Sequence, residues 1–190
     1  MKSDSSRKTY HHGSLEHDLV RLARETVEEH GPDSLSLREL ARRLGVSPNA
    51  PYRHFKDRDE LLFAVAKSGF ADLAERFRAS DASLEAIGDA YVAFALDHRH
   101  LFRLMFSGRV AAMEPDFEPD AAFTMLLQAV SARMGVEPDA PEALEASLGA
   151  WALAHGVAML RMESILDQEH CLDIPSPAHL MRAMGPVMKD

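Results

Sequence analysis

The sequence predicts an all-α protein. Apolar residues recur at intervals of three and four, helix-cap signals bracket the periodic runs, and no segment alternates apolar and polar positions with β-branched enrichment. Alanine and leucine, both good helix formers, abound. A chain of 190 residues, 46% hydrophobic and 27% charged, is long enough for one large domain or two small ones and too apolar and mixed for a disordered or fibrous protein.

Leu15, Leu19, Leu22, Ala23, Thr26 and Val27 make the stripe of a first helix, with Ser14 as its N-cap and Gly31-Pro32 as its stop. Ser36 and Glu39 have capping-box spacing, and Leu35 and Leu40 are placed to staple the entry of a two-turn helix over 38–44. Gly45 fits the left-handed position after it, with Val46 folding back in a Schellman-type closure. Ser47-Pro48 then reads as N-cap and first residue of a third short helix. Asp57 and Glu60 cap a longer fourth helix carrying Leu61, Leu62, Val65, Phe70, Leu73 and Phe77. Further helices are expected over 83–98, 101–106 and 117–134, with Gly108 as a break, then from Glu142 to about Leu166 behind Pro141, and after Pro175-Ser176-Pro177.

Charge is unevenly spread. Residues 1–80 hold 14 Lys and Arg against 13 Asp and Glu, whereas residues 81–190 hold 7 against 17. Between Ser36 and Arg58, six cations face two acids, so a basic patch sits on an acidic body. No apolar stretch reaches the roughly 20 residues of a membrane span, the opening residues are polar, and the lone Cys171 suits a reducing compartment, so a cytoplasmic location without membrane partners is expected.

Two short helices meeting at a glycine corner inside a basic patch make a helix-turn-helix, whose second helix reads base edges in the major groove while cations around it neutralise phosphates. Ser47, Asn49 and Tyr52 are the expected readers, His54 and Lys56 are placed for phosphates, and Arg38 and Arg42 serve from the preceding helix. The competing reading makes Tyr52 and Phe55 core and the arginines a solvated face.

Gly13-Ser14-Leu15, Ser36-Leu37-Arg38-Glu39-Leu40-Ala41, Leu44-Gly45-Val46-Ser47 and Tyr52-Arg53-His54-Phe55-Lys56-Asp57 resemble the DNA-binding domain of the TetR family of transcriptional repressors. The resemblance implies an all-helical homodimer: a basic arm over 1–12, a helix-turn-helix domain over 13–56, and a connecting helix with an effector-binding and dimerisation domain over 57–190. It also implies DNA-contact roles for Ser47, Asn49, Tyr52, His54 and Lys56. A second stretch, His100–Phe106 with Trp151–Gly156, resembles the Trp-His-Gly type of regulatory domain. Pro51 departs from the commoner pattern, because its missing N–H leaves the Ser47 carbonyl without a helical donor, and this bears on the pitch of Asn49 and Tyr52.

The arm Arg7–His12 is a candidate for the minor groove or the phosphates. Phe94, Phe102, Met105, Phe106, Phe123, Met125, Trp151, His155 and Met159 are candidates to line a pocket for an unknown small-molecule effector. Leu148, Trp151, His155, Leu160, Leu180, Met184 and Met188 are candidates for a two-fold interface, since one short helix reads few base pairs and a palindromic operator needs two copies. No zinc spacing, nucleophile elbow or phosphate-binding loop appears, helical spacing sets His98 and His100 about 200° apart, and neither metal nor cofactor is expected. A helical adaptor, or a small enzyme built on His155, Asp97 and Ser147, is the alternative.

Overall fold

The computed structural model describes residues 12–113, 121–163 and 175–184. Within them run α1 (His12–His30), α2 (Leu37–Arg43), α3 (Arg58–Ala79), α4 (Leu84–Asp97), α5 (Arg99–Met105), α6 (Gly108–Met113), α7 (Ala121–Met134), α8 (Pro141–Met162) and α9 (Pro177–Met184). Two 3₁₀ turns, Pro32–Ser34 and Pro51–Arg53, complete the described secondary structure, and no strand occurs among the described residues. Phe117, Cys171, Met188 and arm residues 7–11 lie outside them.

Helix α1 begins at His12, so Ser14 falls inside its first turn instead of capping it; no proline stands there to start the helix later. Its stripe of Leu15, Leu19, Leu22, Ala23 and Val27 is buried, and Gly31, at φ 79°, ends it. The capping box expected at α2 does not form: the Ser36 hydroxyl makes no cap bond, and the Glu39 carboxylate turns instead to Arg42, at 2.8 and 2.6 Å. A guanidinium offers two charge-assisted bonds where the backbone offers one neutral N–H. The other end of α2 matches expectation. Val46 N–H reaches Ala41 O (3.0 Å) and Gly45 N–H reaches Arg42 O (3.2 Å), the paired bonds of a Schellman closure, with Gly45 at φ 67°.

The third helix is not α-helical. Residues 48–50 form a turn and Pro51–Arg53 a 3₁₀ turn. Because Pro51 has no N–H, the Ser47 carbonyl takes its bond from Ala50 N–H one residue earlier (2.9 Å), which tightens the winding; Ala50 O then accepts from Arg53, and Pro51 O from both His54 and Phe55. Asp57 caps α3 by accepting from Glu60 N–H at 3.0 Å, while the Glu60 carboxylate accepts from Lys56 N–H. Helix α6 was not expected. Ser107 O accepts from the Val110 and Ala111 N–H groups, so Gly108 opens a helix here and does not break one.

The 22-residue α3 belongs to both halves. Leu61, Leu62 and Val65 join a core with α1, α2 and Phe55, whereas Leu73 and Phe77 join one with α4, α7 and α8, and the two are continuous. Helix α8 is, among the described residues, the one long and apolar enough to cross a bilayer, with mean hydropathy 1.3, which corrects the count of contiguous apolar residues. Its inner stripe, Ala143, Ser147, Ala154, Val157, Ala158 and Met162, is buried, and the helix packs on α4, α7 and α9.

A polar junction ties α1 to the other half. Arg24 bonds Glu28 at 3.0 Å and also Asp72 of α3. His98, between α4 and α5, meets the Glu28 carboxylate through Nδ1 at 2.9 Å and Arg76 of α3 through Nε2 at 3.2 Å. A carboxylate only accepts and a guanidinium only donates, which assigns the Nδ1–H tautomer. His100 Nδ1–H donates to the Glu28 carbonyl at 3.0 Å. The two histidines thus turn to the same residue, contrary to expectation, because the backbone breaks at His98 (φ −126°, ψ 48°) and helical spacing does not carry across it.

Burial pushes the Glu28 carboxyl up, but the hydrogen bonds from His98 and Arg24 and the Arg24 charge outweigh it and hold the group below its ordinary 4.5. The folded state therefore binds this proton less readily than the unfolded chain. Its stabilisation is complete above pH 4.5 and is lost as pH falls through the lowered value. Glu28→Gln should cost about 1–2 kcal/mol in urea denaturation at pH 7 and progressively less below pH 4.5. Gly45→Ala should cost about 1 kcal/mol in the same assay at every pH: its Cβ meets nothing within 4 Å, so only the left-handed backbone is strained.

Candidate nucleic-acid interface and effector cavity

The corner from Ser36 to Lys56 is held from behind and open in front. Leu37, Leu40, Ala41, Pro51 and Phe55 are buried, while Arg38, Arg42, Ser47, Asn49, Arg53 and Lys56 are exposed. Tyr52, 47% exposed, is a large ring left on the surface, and Phe55 is the aromatic that enters the core. Arg38, Arg53 and Lys56 form no ion pair with any described residue, and the positive end of α3 starts beside Lys56. Arg42 pairs with Glu39, an exposed contact that water screens and a phosphate can replace. His54 stands apart, its side chain 16% exposed against α1 with Nδ1 3.6 Å from the Glu16 carboxylate. Arg53 was missed by the sequence reading; its place between Tyr52 and His54 in the basic run was the available signal.

A cavity of about 390 Å³ opens among α3, α4, α6, α7 and α8. Its walls are helical stripes: Phe70, Leu73 and Phe77 of α3; Leu84, Ile87, Gly88 and Tyr91 of α4; Ala122, Phe123 and Leu126 of α7; Ala150, Trp151 and Ala154 of α8. Met105, Phe106, Ser107, Val110 and Ala111 close it. Of the nine residues expected around a pocket, Met105, Phe106, Phe123 and Trp151 line it. Phe102 lies fully buried behind the wall, edge-on to Tyr91 at 5.4 Å. Phe94 faces the junction, under Arg76 and 4.9 Å from His98. Met125 and Met159 pack half-buried against the core, and His155 stands one layer back.

Tyr91, the polar wall residue that sequence reading missed, has the spacing that reveals it: it follows Leu84, Ile87 and Gly88 on one stripe. Trp151 Nε1–H donates to its hydroxyl at 3.0 Å, and that hydroxyl lies 2.8 Å from His155 Nδ1. Burial holds the His155 imidazole below its ordinary value, and the 2.8 Å contact suits a hydrogen bond donated by the Tyr91 O–H to Nδ1.

The catalytic alternative is not assembled. Ser147 is buried and donates to Ala143 O at 2.7 Å, Asp97 pairs with Arg76 at 2.8 Å, and His155 faces Tyr91. Among the described residues no three His, Cys, Asp or Glu side chains are grouped so as to hold a metal ion. Helix α8 leaves Leu144, Leu148, Gly149, Ala152, Gly156 and Leu160 exposed along its outer side.

A helix-turn-helix head on a cavity-bearing helical body defines the class: a DNA-binding transcriptional regulator. Residues 19–65 match the model of bacterial regulatory proteins of the tetR family, and residues 84–183 that of the tetracyclin repressor-like C-terminal domain. The chain belongs to the TetR family. It is 41% identical over 61 residues to the HTH-type transcriptional regulator Rv1816 of Mycobacterium tuberculosis, a match covering 32% of this chain and 26% of that one, so it spans about a quarter of that relative's length. A solved protein of unknown function from Rhodococcus sp. RHA1 is 32% identical with a TM-score of 0.68, over 94% of this chain and 96% of that one. A TetR variant from Acinetobacter baumannii AYE, solved in complex with minocycline, shares the fold at 22% identity and a TM-score of 0.55, over 80% of this chain and 83% of that one.

Proposed function

We propose that this chain is a cytoplasmic, homodimeric repressor that binds a palindromic operator and releases it when a small molecule enters the cavity. The observation that carries the reading is the open, positively framed corner on which Ser47, Asn49 and Tyr52 stand exposed, backed by Arg38, Arg42, Arg53 and Lys56. Residues 13–56 form the reading unit and residues 57–190 the sensing and pairing unit. The polar readers meet base edges, and Lys56 meets a phosphate at the positive end of α3. His54 positions the turn through its contact with α1 and reaches the backbone from there. The arm over 1–12 adds phosphate or minor-groove contacts.

The outer side of α8 supports pairing. Leu144, Leu148 and Leu160 flank Gly149, Ala152 and Gly156, and a Cβ at either glycine meets nothing within 4 Å, which leaves room for the same helix of a second copy. Pairing sets two corners about 34 Å apart, one turn of duplex.

Response comes through α6 and α3. Val110 and Ala111 of α6 line the cavity, while Arg109 on the same helix lies 3.7 Å from Asp33 of the reading unit and 3.5 Å from Asp59 in the first turn of α3. A ligand that binds better with these elements displaced shifts the population away from correct spacing. This function is recognition and not catalysis.

In gel-shift titrations Tyr52→Ala should lose about 1–3 kcal/mol of operator affinity and relax sequence preference, whereas Lys56→Ala should weaken all sequences alike and lower the salt slope by about one. Wild-type affinity in both variants would refute the docking assignment. Leu144→Glu with Leu148→Glu should give a folded monomer in analytical ultracentrifugation at micromolar concentration, with operator affinity falling by about a hundredfold or more as the second half-site is lost.

A further inference from the structure

We infer that the cavity selects an uncharged, aromatic small molecule of one or two fused rings and excludes carboxylates and ammonium ions of the same shape. This rests on the reading of the cavity as the effector site and adds the chemistry of its occupant. No Asp, Glu, Lys, Arg or His stands among the described wall residues. The three described wall residues with polar side-chain atoms are already partnered within the protein: Ser107 Oγ–H donates to Leu104 O at 2.8 Å, the Trp151 indole N–H donates to the Tyr91 hydroxyl, and that hydroxyl is engaged with His155. An ion entering this space leaves its hydration shell and meets no opposite charge among the described wall residues, which costs far more than ring contacts return.

The walls favour rings. Phe70 meets Phe106 edge-to-face at 5.4 Å and 82°, Phe106 lies 6.0 Å from Trp151, and Phe123 lies edge-on to Trp151 at 6.3 Å and 77°. Aromatic edges and faces thus come from four elements around one space, the arrangement in which an inserted ring makes the same edge-to-face contacts. A volume of about 390 Å³ stands at the small end of ligand cavities, enough for one or two rings with a short substituent. The acidic C-terminal half, with 17 acids against 7 cations, further repels anions on approach.

Trp151 is the chain's single tryptophan, so its emission reports on this cavity alone. The test titrates the full-length protein with 2-naphthol and, separately, 2-naphthoate at pH 7, reading Trp151 emission and calorimetric heat. The expected result is saturable 2-naphthol binding about tenfold or more tighter than that of 2-naphthoate. Ala150→Leu, which fills the space from α8, should weaken 2-naphthol about tenfold while keeping wild-type helicity; Phe123→Leu, which removes a ring and adds no bulk, gives a second reading should Ala150→Leu fail to fold. Equal or tighter binding of 2-naphthoate, no saturable 2-naphthol binding, or 2-naphthol binding that both variants leave unchanged overturns the inference. Operator affinity is measured in parallel: saturable 2-naphthol binding with unaltered operator affinity counts against the effector-release reading and leaves the ligand class standing.

Discussion

The molecule depends on one shared element held at one point. Helix α3 is a member of both apolar cores, so neither half can reorient without bending it or sliding it past its neighbours. What fixes its setting against α1 is the cluster around Glu28: Arg24 of α1 bonds both Glu28 and Asp72 of α3, and His98 joins the Glu28 carboxylate to Arg76 of α3. Apolar packing is tolerant of small slides, because a leucine finds nearly equal contacts an ångström away. Hydrogen bonds at 2.9–3.0 Å do not tolerate them, and they lock the register that the cores leave soft.

The opposite holds on the other side of α3. Arg109 reaches Asp33 and Asp59 at 3.5–3.7 Å from a two-turn helix whose neighbouring residues line the cavity. Such partly exposed pairs are individually weak and break with little loss. On the proposed reading, a strong junction on one flank and a weak one on the other act as a hinge, and a ligand in the cavity displaces α6 before it displaces α1. Such a ligand switches the protein only in so far as it binds the displaced arrangement a few kcal/mol more tightly than the other.

Much of this was legible in the residues. The Gly45 closure, the Asp57 cap and the long α3 follow from local rules, because each involves groups within a turn of one another. Local rules failed where two of them competed. Glu39 had a capping partner and an arginine within reach, and the charge won; Gly108 counted as a breaker until a serine carbonyl before it closed a turn. The cavity was harder. Phe94 and Phe102 are aromatic and apolar like Phe106, and residue type cannot separate a ring that fills a core from one that borders a void. Helical phase does separate them: the wall of α4 runs through positions 84, 87, 88 and 91, a stripe that passes Phe94 by.

Pro51 shows how a departure from pattern can be structural without being destructive. The missing N–H removes one helical bond, and the chain answers by winding tighter, so that the Ser47 carbonyl is satisfied three residues on. The regular helix that would have carried Ser47, Asn49 and Tyr52 is thereby replaced by a turn over 48–50 and a 3₁₀ turn over Pro51–Arg53. Pro51 turns into the core while Ser47, Asn49 and Tyr52 stay exposed, so on the proposed reading it is this tighter corner, and not a regular recognition helix, that meets the duplex.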